Sequence, residues 1–172
     1  MTEKPDIRAL STSELQTALI AFGEKPFRAK QIEEWLWTHG AASFEEMTNL
    51  SKSLRDLLEA TYDLRRISLE EQQISSDRTI KCAFGVGEGR VVEGVLIPTT
   101  RRMTACISSQ VGCSLACKFC ATGRLKLMKN LSAAEMYDQV EMVARMAQEH
   151  YGTPLSNIVY MGRGEPLLNY KN

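Results

Sequence analysis

Cys113, Cys117 and Cys120 fall within eight residues in the spacing C-x3-C-x2-C, and no other feature of the chain restricts its fold as strongly. Three close thiols are a metal site short of one ligand. A structural zinc site takes four protein ligands, commonly from paired C-x2-C knuckles. An uneven trio of soft thiolates better suits an iron–sulfur cluster. A four-iron cluster held by three cysteines leaves one iron open to another molecule.

The trio sits in an uneven field. Lys plus Arg and Asp plus Glu each number 21 in 172 residues, yet residues 101–130 carry six basic side chains and no acidic one. These are Arg101, Arg102, Lys118, Arg124, Lys126 and Lys129. Such a block attracts phosphates and anionic cofactors without regard to sequence; solvated loop charges are the plainer reading and stay open. At 44% hydrophobic and 24% charged, the composition is that of an ordinary soluble protein with room for one or two small domains. No apolar run approaches the roughly 18 residues of a membrane span, and the amino terminus lacks the charged start and hydrophobic core of a secretory signal. A cytoplasmic protein with no membrane partner is expected. Its five cysteines are then reduced thiols, and the odd count opposes a purely disulfide framework.

Residues 1–64 read as a helical domain. Ser11 and Glu14 form a capping box for a helix from Thr12 to Phe22, stopped by Gly23. Pro26 opens a second helix with Phe27, Ile32, Trp35 and Leu36 on one face, ending near Gly40. Ser43 with Glu46 caps a short third helix, and Ser51 begins a fourth through Leu54, Leu57 and Leu58. Residues 65–98 change to short alternating runs, 67–74, 79–84 and 91–97, which predict a β-hairpin or three-strand meander acting as a connector. In 99–172 a strand over 105–109 leads into the cysteine loop. A helix follows, capped by Ser132 and Glu135 and running to about His150, then a second strand over 157–161. Strand, loop, helix, strand is a parallel β/α unit, in which ligands gather beyond the carboxyl ends of the strands. The cysteine loop and residues 162–166 both fall there. The expected fold class is therefore α/β.

The segment 113–120, CSLACKFC, with an aromatic before the last cysteine, resembles the signature of the radical S-adenosylmethionine superfamily. Five further stretches narrow the resemblance: FRAKQIEEWL at 27–36, EMTNLS at 46–51, VLIP at 95–98, CISSQVGC at 106–113 and MGRGEPLLN at 161–169. Together they are similar to the RlmN/Cfr family of radical S-adenosylmethionine RNA adenine methyltransferases, on the RlmN side. The resemblance implies a partial (β/α) barrel after an RNA-binding helical domain, and a [4Fe-4S] cluster on Cys113, Cys117 and Cys120. It implies S-adenosylmethionine bound by Gly164 and Glu165, and methylation of carbon-2 of an adenine in 23S rRNA and in tRNA through a methyl-cysteine intermediate. An electron donor such as flavodoxin and a monomeric state are expected. Arg28 and Lys30 are candidate phosphate contacts, while Phe27, Trp35 and Trp37 read more simply as core or helix-packing residues than as base-stacking platforms.

Glu93 and Cys106 carry the chemistry in this reading. Glu93 lies in a strand with Val91 and Val95 on its face, thirteen residues before Cys106. The resemblance makes it the proton acceptor, and an apolar site would raise its proton affinity toward a useful value. Cys106 would help release product from a covalent adduct; a buried thiol or a fourth metal ligand are its other readings. Cys82 matches no motif and reads as a buried strand residue.

Two positions depart from the family pattern. Arg163 stands where a methionine is usual, which places a guanidinium beside the cofactor pocket where it must be solvated or paired. Arg78 stands where a glycine is usual, at a predicted hairpin tip. A barrel needs more strands and roughly 200 or more residues, and the methyl-carrying cysteine of the family lies beyond Asn172. The 172-residue chain is thus expected not to complete turnover by itself. Other readings are a carbon-8 methyltransferase of the Cfr type, another radical S-adenosylmethionine enzyme, and a non-enzymatic RNA-binding module with zinc on Cys106, Cys113, Cys117 and Cys120.

Overall fold

A computed structural model describes residues 4–172, which separate into two compact units that divide after residue 66. Among the described residues the first unit holds three α-helices. Helix α1, Thr12–Ala21, begins in the predicted capping box, with Ser11 and Glu14 satisfying each other's backbone N–H groups. Helix α2 spans Arg28–Trp37 and α3 spans Lys52–Thr61, the latter capped by the Ser51 hydroxyl on the Leu54 N–H. Ile7, Leu19, Ile32, Leu36, Leu54 and Leu58 meet in one apolar core, each no more than 2% exposed.

The predicted apolar face of α2 needs correction at its start. Phe27 precedes the first helical turn and is exposed, while Ala29 takes the buried place with Ile32 and Leu36. Trp35 and Trp37 pack at the edge of the core as expected, the Trp35 indole donating to Asn49 Oδ1 at 2.7 Å. The predicted third helix is a single 3-10 turn, Phe44–Glu46. Leu57 lies on the half-open side of α3.

The second unit is a five-stranded mixed sheet. Strands β1 (Ser68–Ile74), β2 (Ile80–Gly85), β3 (Val91–Pro98) and β4 (Met103–Cys106) pair antiparallel in chain order. A two-residue ribbon follows, β5 (Gln110–Val111) with β6 (Lys129–Asn130), and it brackets the cysteine loop. Helix α4, Ala133–Tyr151, then crosses to β7 (Asn157–Val159), which lies parallel to β4. The strand–helix–strand unit is the one read from the sequence. Its β4 is joined directly to β3, so the segment 65–98 shares a sheet with that unit.

Alternation on β3 decides which face Glu93 takes. Val92 and Leu96 are fully buried in a core with Phe84, Met136, Val143 and Met146 of β2 and α4. Glu93, Val95 and Ile97 therefore occupy the other, half-open face. Cys82, 1% exposed, points into the same core and donates its S–H to Met146 Sδ at 3.4 Å; burial pushes its thiol up to about 11. Arg78 has φ of 71° at the β1–β2 turn, a conformation unfavourable for a side chain with a Cβ. Its guanidinium lies 4.5 Å from the centre of the Tyr151 ring, and the Tyr151 hydroxyl donates to its carbonyl, which together offset that cost. Among the described residues no helix is long and apolar enough to cross a membrane.

Candidate active site

The carboxyl ends of β4 and β7 bring the sequence-predicted residues to one end of the sheet. Cys106 closes β4 opposite Val95 of β3 and Val159 of β7. Since Glu93 and Val95 share a face, Glu93 and Cys106 lie diagonally on the same half-open face of neighbouring strands. Burial raises the Cys106 thiol, opposed by a hydrogen bond from the Met161 backbone. It is thus a protonated thiol at neutral pH.

Glu93 is not in the apolar site expected of it. Its side chain is 37% exposed, and its Oε1 meets Lys81 Nζ at 2.9 Å and Arg163 Nη2 at 3.3 Å. The Lys81 hydrogen bond, foremost, and the Arg163 charge hold its carboxyl below the ordinary glutamate range. A shallow cleft of about 230 Å³ opens beside it, lined by Glu71, Gln73, Lys81 and Ala83. The misreading came from choosing the wrong face of β3: Val92 and Leu96 take the core, leaving Glu93 to the polar side.

The loop after β7 is fastened to the loop after β4 by a buried polar lattice that sequence reasoning left unassigned. Ser108, fully buried, donates its hydroxyl to the Glu93 carbonyl at 2.6 Å and accepts from the Arg163 N–H at 2.8 Å. Gln139 of α4, also fully buried, accepts from the Ser108 N–H at 2.9 Å and donates to the Ser108 carbonyl at 3.1 Å. Gln110 accepts from the Glu165 N–H at 2.9 Å, and Asn169 donates to the carbonyls of Ser109 and Leu131. The sequence signal was present: Ser108, Ser109 and Gln110 form a polar run between the apolar Ile107 and Val111.

Gly164 and Glu165 sit where this lattice turns. Gly164 has φ of 98°, and a Cβ there would come within 2.5 Å of the Gln110 Cβ. Glycine is required for the close approach of two protein segments as well as for the left-handed backbone. The Glu165 carboxylate accepts from the Leu167 N–H at 3.0 Å, capping the turn Pro166–Asn169.

The three clustered cysteines occupy the loop between β5 and β6, each free and partly exposed. Hydrogen bonds from the backbone N–H groups of Gly123, foremost, and Thr122 hold the Cys120 thiol below its usual value, favouring thiolate. Among the described residues no three His, Cys, Asp or Glu side chains converge into a ligand group, so the trio shares a loop without forming a preassembled cage. In donor chemistry the site fits an iron–sulfur cluster: three soft ligands, one already biased to its anion. Cys106 lies apart from the loop, on β4. In the helical unit Arg28 is engaged by Glu24 at 3.0 Å and by Gln31, so this candidate phosphate contact is already paired.

Residues 6–64 match the family described as the ribosomal RNA large subunit methyltransferase N-terminal domain. The chain is 56% identical, over 99% of its length, to a probable dual-specificity RNA methyltransferase RlmN of Cytophaga hutchinsonii, covering 47% of that protein. It is 47% identical to the dual-specificity RNA methyltransferase RlmN of Geotalea uraniireducens, over 99% of the chain and 48% of the relative. A solved structure of a radical SAM methyltransferase from Sphaerobacter thermophilus superposes with a TM-score of 0.82 at 40% identity, over 97% of this chain and 49% of that one. The chain thus spans about half the length of the curated relatives it matches. With a matching domain over residues 6–64, high identity along almost every residue and the same fold, the chain is similar to the RlmN methyltransferases and to the radical SAM methyltransferase over the half of each that it covers.

Proposed function

We propose that the whole protein methylates carbon-2 of an adenine in 23S rRNA and in tRNA through a methyl-cysteine intermediate. The observation that carries this reading is the placement of Glu93 and Cys106 on one open sheet face, at the strand ends where the cysteine loop and the Gly164–Glu165 turn also lie. Cys113, Cys117 and Cys120 would hold the cluster, and Gly164 and Glu165 the amino end of S-adenosylmethionine. Together these groups supply the one-electron chemistry that an unactivated ring carbon requires.

The chain's own residues have narrower tasks. Glu93, ionised at neutral pH, accepts the proton that leaves the adenine ring as the new carbon–carbon bond becomes permanent. The Cys106 thiol, which burial keeps protonated until it is called on, supports release of the product from its covalent adduct after giving up that proton. The basic residues around the cysteine loop attract the RNA backbone, and the helical unit adds grip. An external one-electron donor such as flavodoxin completes the cycle.

The test is methylation of 23S rRNA fragments and tRNA by the whole protein carrying a reconstituted cluster, with the modified base identified by mass spectrometry. Carbon-2 methyladenine in both RNAs, lost in Glu93→Gln and Cys106→Ala, is the expected outcome. Carbon-8 methyladenine would move the protein to the Cfr-type reading, and no methylated adenine would remove the proposal.

A further inference from the structure

The two cations around Glu93 are arranged unequally about its carboxylate. Lys81 reaches it from β2 and Arg163 from the loop after β7, and both contacts fall on Oε1. Arg163 is fixed at its other end too. Its N–H donates to the Ser108 hydroxyl, which in turn donates to the Glu93 carbonyl, and its guanidinium Nη1 donates to the Val91 carbonyl at 3.4 Å. Backbone and side chain of one residue thus tie the Gly164–Glu165 turn to the strand that carries the carboxylate. The charged groups facing Glu93 are Lys81 of β2, Arg163 of the loop, and Glu71 of β1, which lines the same cleft two strands away.

We infer that Arg163 is a positioning residue for Glu93: with Lys81 it clamps Oε1, fixes the plane of the carboxylate on the open face, and leaves Oε2 as the oxygen that receives a proton. The inference deepens the reading of Glu93 as proton acceptor and rests on it. A carboxylate clamped by one oxygen loses rotational freedom but keeps one lone-pair site for the substrate. Arginine suits this task, because its charge does not titrate and its planar fork serves two acceptors at once. The clamp also restrains basicity, since a proton arriving at Oε2 weakens both ion pairs on Oε1.

Side-chain carboxyl resonances of the full chain, labelled with carbon-13 at Glu, would be titrated in the parent, Arg163→Met, Arg163→Lys and Lys81→Met. The Glu93 midpoint is expected to move upward in Arg163→Met, to return toward the parent in Arg163→Lys, and to move upward at least as far in Lys81→Met, whose hydrogen bond is the shorter. If Arg163→Met does not fold, Arg163→Gln removes the same charge. In the whole protein, the acid limb of the methylation rate should shift upward with the same ordering. A Glu93 midpoint unchanged in Arg163→Met and Arg163→Gln overturns the inference. Full activity of Glu93→Gln overturns the role of Glu93 instead, and leaves the titration result standing.

Discussion

The helical unit and the sheet unit treat buried polarity in opposite ways. Among the described residues, six of the seven buried polar or charged side chains lie in the sheet unit: Ser108, Ser109, Gln110, Asp138, Gln139 and Asn169. The helical unit buries Arg8 beside Asp6 and otherwise encloses aliphatic and aromatic groups. An apolar core needs only volume and pattern, whereas a buried polar lattice fixes particular atoms against one another at the risk of unsatisfied groups. The lattice lies under the Glu93, Cys106 and Gly164–Glu165 positions, the groups to which the proposed chemistry is assigned.

The comparison breaks most readily at the apolar extreme. Leu58→Ala, at 0% exposure, should destabilise the helical unit by about 2–5 kcal/mol. Both tryptophans lie in that unit, so urea unfolding followed by tryptophan fluorescence reads it directly. A loss under about 1 kcal/mol would mean that the helical core is loosely packed. Next in size is the sheet core. With its thiol at about 11, Cys82 should carry about 100-fold less thiolate at neutral pH than an unperturbed cysteine. Iodoacetamide labelling resolved by peptide mass spectrometry should find Cys82 the slowest of the five thiols, and rapid modification would show that the sheet opens easily.

The lattice itself is probed by Gln139→Leu, which removes both partners of the Ser108 backbone. A cost of about 1–3 kcal/mol is expected in chemical unfolding followed by circular dichroism, because two buried groups are left unpaired. A neutral result would show that water or a rearranged loop replaces the glutamine. Smaller again are the caps. Ser11→Ala and Ser132→Ala should each cost about 1 kcal/mol, and a matched pair of losses would confirm that local capping works alike in both units. The least effect concerns acid. Glu93 is ionised more readily in the folded chain than in the unfolded one, so its stabilising contribution is present above the unfolded pKa and fades as pH falls through the folded value. The stability gap between the parent and Glu93→Gln should close on acidification; a gap that widens would contradict the two ion pairs.

What was legible in the sequence follows the range of the forces involved. Ser11 with Glu14 and Ser132 with Glu135 act over three residues, and both capping boxes formed where the pattern put them. The parallel pairing of β4 with β7 was legible from the order of strand, helix and strand. Phe27 was misplaced because a proline one residue earlier reads as a helix start, while α2 begins only at Arg28 with Phe27 at its N-cap. The ribbon of β5 and β6 is two residues a side and leaves no periodicity to detect. The setting of Glu93 was beyond local reasoning, since Arg163 lies 70 residues further along and only the closed sheet brings them together.

That small ribbon has a consequence for chelation. Pairing Gln110 with Asn130 and Val111 with Lys129 holds the two ends of the cysteine segment at neighbouring-strand distance, about 5 Å. Lys129 adds a clasp, donating to the Val86 carbonyl and to Glu135 at the start of α4. A free chain of that length would lose closure entropy when its thiols gathered on one centre, and the loss grows with the logarithm of loop length. Here folding has already closed the loop, so gathering Cys113, Cys117 and Cys120 on the proposed cluster would order only the residues inside it, and the three sulfurs would act as arms of one tethered chelator.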